Sequence, residues 1–449
     1  MPSATSPLRP VAAVWTSTEG SMAQQTAITR WPNIVQGMID DVEKTAATAG
    51  PSQQDTARTI VQSLSKMKNE IAKNQALSPL NAAYGRDIAG FNTLLADGGN
   101  YTWHACPWLF AECYMYRRVA TIFAASSDPF WKAYDVFKRQ KDETFAKSRN
   151  AVEELAMRYI NVSDRVECAS SPNWTEEQKM LFVEMTQVAL WGNATDLSLL
   201  SNLSLDQIQG LQGAEAILKS RKNIVDDDTE DVWKYLSSTS SADRRIDIVL
   251  DNAGFEFFTD VVYAAYLLRS GIAQCIKFHV KDMPWFVSDV TPDDVDSLFQ
   301  HLENHEIFPD RRYLNPLVQQ LHEYFETGKM SIRQHPFWTT AYSFHAMETE
   351  GAGILKSLSC SSLVVFKGDL NYRKLTRDGL WPHTTSFAEA IGPLGKGSGL
   401  KILALRTNKA DVCVGLESEE HVARLEQEAP GSAWVRNGKY AVISFSDGR

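Results

Sequence analysis

Apolar positions divide the chain into two regimes of periodicity. From about residue 23 to residue 220 they recur at helical spacing: Ile60, Leu64, Met67 and Ile71 form one stripe, and Trp108, Leu109, Tyr116, Val119 and Phe123 another. Pro107 heads the second stripe, where a missing N–H costs a helix little. Past the acidic run Asp226, Asp227, Asp228 and the serine-rich stretch 237–241, the pattern changes to short β-branched apolar runs. Segments 246–250, 275–280, 363–366, 402–405 and 441–443 read as strands, with helical patterns over 255–269, 293–302 and 315–325 between them.

Strands alternating with helices predict an α/β fold, a three-layer α/β/α core with a mostly parallel sheet, preceded by an all-helical N-terminal domain. The polar segment from Lys219 to Ser241 reads as an exposed connection and sets the boundary: a flexible tail over 1–22, helical domain over 23–235, core over 236–449.

Composition narrows the function. At 449 residues and 44% hydrophobic content the chain buries a large core. A formal net charge of −10 and the lack of a basic block argue against nucleic-acid binding. The six cysteines are scattered without a CxxC pair, which predicts reduced thiols rather than a zinc knuckle or a disulfide frame. No apolar run reaches the roughly 20 residues needed to span a bilayer. The expected location is the cytoplasm, with the nucleus as a second compartment, and a monomer is expected.

In open parallel sheets ligands bind beyond the carboxyl ends of the strands, so the residues after each run carry the candidate chemistry. After the first come Asp251, Asn252, Ala253, Gly254, Phe255 and Glu256, then an apolar helix. A carboxylate and an amide oxygen at a strand tip suit a hard divalent cation, although an Asp or Asn there also serves as a helix cap. The second run leads to Asp289, which could complete a metal site or cap the next helix. The third ends in Lys367, Gly368, Asp369, Leu370, Asn371, Tyr372, Arg373, Lys374 and Leu375, a density of donors suited to phosphate and sugar hydroxyls; a simple turn at Gly368-Asp369 is the plainer reading. The fourth ends in Arg406, Thr407, Asn408 and Lys409, cations placed to offset phosphoryl charge.

In this order, Asp-Asn-Ala-Gly-x-Glu, Lys-Gly-Asp-Leu-Asn-Tyr-Arg-Lys-Leu and Arg-Thr-x-Lys resemble the signatures of the damage-control phosphatase family. The resemblance covers nearly the whole chain, including Glu112 to Arg118 in the helical half, and is greatest to the Arg-Thr-x-Lys subfamily. That subfamily includes sugar-phosphate phosphatases and proteins also described as acidic-residue methyltransferases. The resemblance implies a divalent metal (manganese, cobalt, nickel or magnesium) and hydrolysis of phosphomonoesters of small metabolites such as fructose 1-phosphate. Asp251, Asn252 and Asp289 match its metal-binding and catalytic positions. Glu256, Asp369, Leu370, Asn371, Tyr372, Arg373 and Lys409 match its substrate-binding positions, and Arg406 supports the same loop.

Two alternatives stand beside this reading. A methyltransferase using S-adenosylmethionine on protein carboxylates is brought in by the resemblance, but no glycine-rich cofactor loop follows the first strand. A non-catalytic sugar-phosphate sensor would use the same pocket. Other signals are set aside: the glycine-rich stretch 392–399 breaks the Gly-Lys-Ser/Thr order and leads into a strand, and His301 and His305 lack the Glu of HExxH.

Overall fold

The computed structural model describes residues 11–163, 174–192, 221–240 and 242–449. Its centre is a seven-stranded sheet: β1 (Ile224–Asp227), β2 (Arg245–Val249), β3 (Cys275–Val280), β4 (Met330–Gln334), β5 (Leu363–Lys367), β6 (Ile402–Thr407) and β7 (Ala441–Ser446), in the spatial order β1-β7-β6-β5-β2-β3-β4. All neighbours are parallel except β6 and β7. The chain winds from β2 through β3 to β4 in one direction and from β5 through β6 in the other, so the order reverses between β2 and β5. Such a switch point opens a crevice at the carboxyl ends of the two strands.

The five apolar runs all become strands because a sheet covered on both faces favours continuous β-branched sequence. Alternation sorts their side chains. Ile246, Ile248, Val365, Leu403 and Ile443 pack on one face with the helices Arg149–Ser163, Glu176–Trp191 and Phe255–Arg269, while Val249, Val364, Phe366, Ala404 and Val442 meet Trp338, Phe344 and Tyr372 on the other. The helical patterns of the second half appear as Phe255–Arg269, Pro292–Glu303 and Leu314–Glu326.

Two strands were not expected, and both lie at sheet edges. β4 has the sequence MSIRQ, too polar to stand out from a loop. β1 falls inside the segment read as an exposed connection: its IVDD pairs with β7, and its acids are engaged rather than solvated. Asp226 accepts from the Ser444 hydroxyl, and Asp227 accepts from Arg221 at 2.7 Å and from the Thr229 N–H at 3.1 Å. An edge strand needs only one paired side, so polar residues are tolerated there.

The described elements of the first half are helical, notably Trp31–Ala46, Pro51–Ala72, Ile88–Gly98 and Trp108–Ala124. Their shared core extends onto Trp285, Leu370 and Ala410, which belong to strand-end loops and the helix after β5. Within the segment read as a tail, Val14 is buried and its N–H donates to the Asp378 carbonyl at 3.0 Å; residues 1–10 lie outside the described residues. Cys106, Cys113, Cys275, Cys360 and Cys413 are free thiols, and Cys168 lies outside the described residues. Among the described residues no helix is long and apolar enough to cross a membrane.

Candidate active site

Asp251 and Asn252 follow β2, Gly368 and Asp369 follow β5, and the loop ending in Asp289 follows β3. These segments therefore meet at the switch point. The Asn252 and Asp289 backbones form an isolated antiparallel bridge, and the Val290 N–H donates to the Asp251 carbonyl at 2.9 Å. Gly368 brings β5 close to β2. With φ +81°, it adopts a conformation natural to glycine, and a Cβ there would lie 1.9 Å from Asp251 Oδ2. The glycine leaves room for the carboxylate.

Asn252 is locked by its neighbours. Its Nδ2 donates to Asp251 Oδ2 at 2.7 Å and to Glu256 Oε2 at 2.8 Å, and its Oδ1 accepts from the Ser288 hydroxyl. Glu256, in the first turn of the helix, is held from behind by Lys367, whose ammonium lies 3.3 Å from Glu256 and 2.9 Å from Asp260 and donates to the Ala189 carbonyl. Lys281 stands under the other carboxylate: its Nζ donates to the Leu250 carbonyl at 3.0 Å and pairs with Asp289 Oδ2 at 3.2 Å, without hydrogen-bond geometry to that oxygen.

The electrostatics of this group are strained in one direction. Burial, then the charges of Glu256 and Asp289, holds the Asp251 carboxyl well above its ordinary range. Burial also pushes Asp289 up to about 6 against the pull of Lys281, and Asp260 up to about 7 against that of Lys367. Added positive charge in this group would favour the ionised form of these buried carboxylates.

The oxygen-rich donor set fits a hard divalent ion. Asp251 and Asp289 contribute carboxylates, Asn252 an amide oxygen, and the buried Asp289 Oδ2 has no hydrogen-bond donor. Among the described residues no group of three His, Cys, Asp or Glu side chains stands in metal-ligand geometry, so the third ligand would have to be the amide.

The other expected residues divide into two groups. Asp369 Oδ1 accepts from Arg406 Nε at 2.8 Å and from the Lys409 N–H at 3.2 Å, which brings the ends of β5 and β6 together. The Lys409 charge is felt at Asp251. Arg406, fully buried, stacks over Tyr372 with its guanidinium 4.4 Å from the ring centre and donates to the Val412 and Ala410 carbonyls, so it supports the loop rather than facing the cleft.

Residues 368–375 form a buried helix rather than a loop, and four of its side chains are committed inside the protein. Asn371 Nδ2 donates to the Leu250 and Lys367 carbonyls at 3.2 and 2.8 Å, tying β2 to β5. The Tyr372 hydroxyl accepts from the Val414 N–H at 3.1 Å, and Leu370 packs into the helical core. Arg373 forks onto Asp378, reaches Glu112 at 2.8 Å, and lies 3.7 Å from the Trp108 ring centre. Its charge is spent inside the protein. At the site this helix offers its first backbone N–H groups.

Three residues at the candidate site had no individual role legible in the sequence, Lys281, Ser288 and Lys367, and Gly368 was legible only as a turn. Lys281 and Lys367 were detectable as cations next to strand ends, whereas the Ser288 contact depends on a turn that no periodicity reveals. A cleft of about 1110 Å³ opens against this wall, lined by Asn252, Glu256, Phe286, Ser288, Lys141 and Arg30 among others. The glycine-rich stretch lies elsewhere: Gly397 and Gly399 donate to the Gly448 carbonyl at 3.1 and 3.0 Å, ahead of β6 and away from its carboxyl end. His301 Nδ1 lies 2.6 Å from the Ser297 carbonyl, within its own helix.

Comparisons with known proteins agree with the motifs. A family model described as the damage-control phosphatase ARMT1-like domain matches residues 26–425. The chain is 34% identical over 445 residues to damage-control phosphatase ARMT1 of Danio rerio, covering 95% of each protein. It is 33% identical to that of Xenopus laevis, covering 97% of this chain and 99% of the relative, and 29% identical to that of Homo sapiens, covering 95% and 96%. A crystal structure of a DUF89 family protein from Pyrococcus horikoshii aligns over 94% of this chain and 97% of that one, at 14% identity and a TM-score of 0.41, a likeness too remote to add to the sheet described above. The chain belongs to the ARMT1-like damage-control phosphatases, a family of metal-dependent phosphatases.

Proposed function

We propose that this phosphatase hydrolyses phosphomonoesters of small metabolites, sugar phosphates such as fructose 1-phosphate among them, at the crevice between β2 and β5. The cation, manganese, cobalt, nickel or magnesium, would be held by Asp251, Asn252 and Asp289. One observation carries this reading: two buried carboxylates and an oriented amide meet at the switch point, where burial, with the charge of Glu256 beside both, keeps the Asp251 and Asp289 carboxyls above their ordinary range.

When bound, the cation supplies electrophilic activation at the phosphoryl oxygens. The chain supplies the rest. The N–H groups opening the helix Gly368–Leu375 point to a position for phosphate oxygens, and Lys409 neutralises charge that builds on the phosphoryl group. Glu256, oriented by Asn252 and Lys367, is placed to accept a hydroxyl of the sugar. The Arg373 side chain has no part in this scheme, because Glu112 and Asp378 already neutralise it. A monomer in the cytoplasm or nucleus completes the proposal.

The test is phosphate release from fructose 1-phosphate by purified protein, with each divalent ion and with chelator. Asp251→Ala is expected to lower kcat by about 100-fold or more with folding retained, since a strand-tip ligand serves chemistry more than packing. Full activity of the variant, or turnover unaffected by chelator, would overturn the site assignment.

A further inference from the structure

The loop from β3 to Asp289 contains the least relaxed backbone next to the site. Phe286 and Val287 have φ of 45° and 71°. Among the described non-glycine residues with positive φ, Val287 alone is β-branched, which makes it a genuine conformational outlier. The Ser288 N–H donates to the Phe286 carbonyl at 2.9 Å, closing a three-residue turn centred on Val287. A γ-turn with positive φ at its centre is rare and strained, and strain of this kind persists only where the surroundings enforce it.

The surroundings do so here from both halves of the molecule. Trp285 is fully buried, and the Phe286 ring stacks on Tyr116 of the helix Trp108–Ala124 with centroids 4.7 Å apart. The Asp289 N–H donates to the Trp285 carbonyl at 3.1 Å, and the Ser288 carbonyl accepts from the Ala253 N–H at 2.6 Å. The product of this arrangement is one contact, the Ser288 hydroxyl donating to Asn252 Oδ1. Both Asn252 N–H bonds are already directed to Asp251 and Glu256. An amide oxygen has two lone pairs, so Ser288 occupies one and leaves the other.

We propose that Ser288 is a positioning residue for the cation: the strained turn at Val287 carries its hydroxyl to the Asn252 amide, which fixes that amide with one oxygen lone pair free for the ion. The inference rests on the metal reading of Asp251, Asn252 and Asp289. Groups that orient metal ligands typically change affinity by 10–100-fold when removed.

The experiment is calorimetric titration of Mn2+ into the metal-stripped full-length protein, with thermal unfolding of the metal-free form measured alongside. S288A is expected to raise the Mn2+ Kd by about 10–100-fold at unchanged Tm, and S288T to return it to within about threefold of the starting protein. V287G separates positioning from packing, because glycine accepts positive φ. Its metal-free Tm should hold or rise while the Kd rises by about threefold or more as the turn loses its preset shape. Unchanged affinity in S288A, in a protein whose Mn2+ binding is lost in D251A, would overturn the role of Ser288 and leave the metal site standing. Loss of affinity in S288A and V287G only in step with a fall in Tm would also overturn it. Mn2+ binding that persists undiminished in both D251A and D289A would sink the metal reading, and this inference with it.

Discussion

Gly368 shows how narrowly the site depends on single atoms. A methyl group at this position would lie 1.9 Å from Asp251 Oδ2, and its φ of +81° disfavours any side chain. Gly368→Ala is therefore expected to displace the carboxylate and lower kcat by about 100-fold, the usual cost of misplacing a reacting group by an ångström. The backbone alone should cost about 1 kcal/mol of stability. Phosphate release and urea unfolding measure the two effects separately.

His345 belongs to the same scale but acts through pH. Burial lowers its pKa from 6.5 to about 4, against the carbonyls of Ala390 and Leu375, which its Nε2 meets at 3.1 and 2.9 Å. Between those two values the unfolded chain binds a proton that the folded chain refuses. Stability then rises with pH, is fully present above 6.5 and is lost as pH falls toward 4. The group contributes about 3 kcal/mol across the window. His345→Gln should flatten that part of the stability profile, as measured by urea unfolding at pH 7 and pH 4.5.

At the scale of elements, the helix Gly368–Leu375 connects the two halves. Arg373 is buried between Glu112 of the helix Trp108–Ala124 and Asp378, at 2.8 and 2.9 Å, and it stacks on Trp108. Arg373→Ala would leave two buried carboxylates uncompensated, a loss of about 3–5 kcal/mol for breaking such a network. Arg373→Lys should recover only part of it, since an ammonium cannot reproduce the fork onto Asp378. Denaturant unfolding would read both. The expected signature is lost stability, with the Mn2+ affinity of the folded fraction retained.

The same scale explains which elements periodicity revealed. The central strands announce themselves because both faces are covered, so nearly every residue must be apolar: LVVFK in β5 and ILALRT in β6 are buried throughout. β1 and β4 sit at the two edges, where IVDD and MSIRQ meet the requirement on one side only. The density of polar residues after β5 was visible, but not that they form a buried helix, because Asn371, Tyr372 and Arg373 are satisfied by partners distant in sequence.

For the whole molecule, a ligand that binds only the folded state stabilises it in proportion to its occupancy. Mn2+ at a hundredfold excess over its Kd should add about 2.7 kcal/mol and raise Tm accordingly. Chelator should reverse the gain, and Asp251→Ala should show none. A thermal unfolding series in metal concentration checks this without reference to turnover.

The order of motifs along the chain was enough to indicate the α/β core, the helical first half and the residue types of the candidate site, because strand periodicity and the chemistry of Asp, Asn, Lys and Arg are local properties. Which of those residues face the same space was decided by the fold. The reversal of strand order between β2 and β5 sets Asp251 beside Gly368, and the β3 loop folds back to bridge Asn252 to Asp289. The same packing turned Arg373 inward to Glu112 and brought Lys281 to the Leu250 carbonyl, Lys367 to Glu256 and Ser288 to Asn252. Long-range pairing and burial assign a side chain its partner, and neither is written in the spacing of residues along a single stretch.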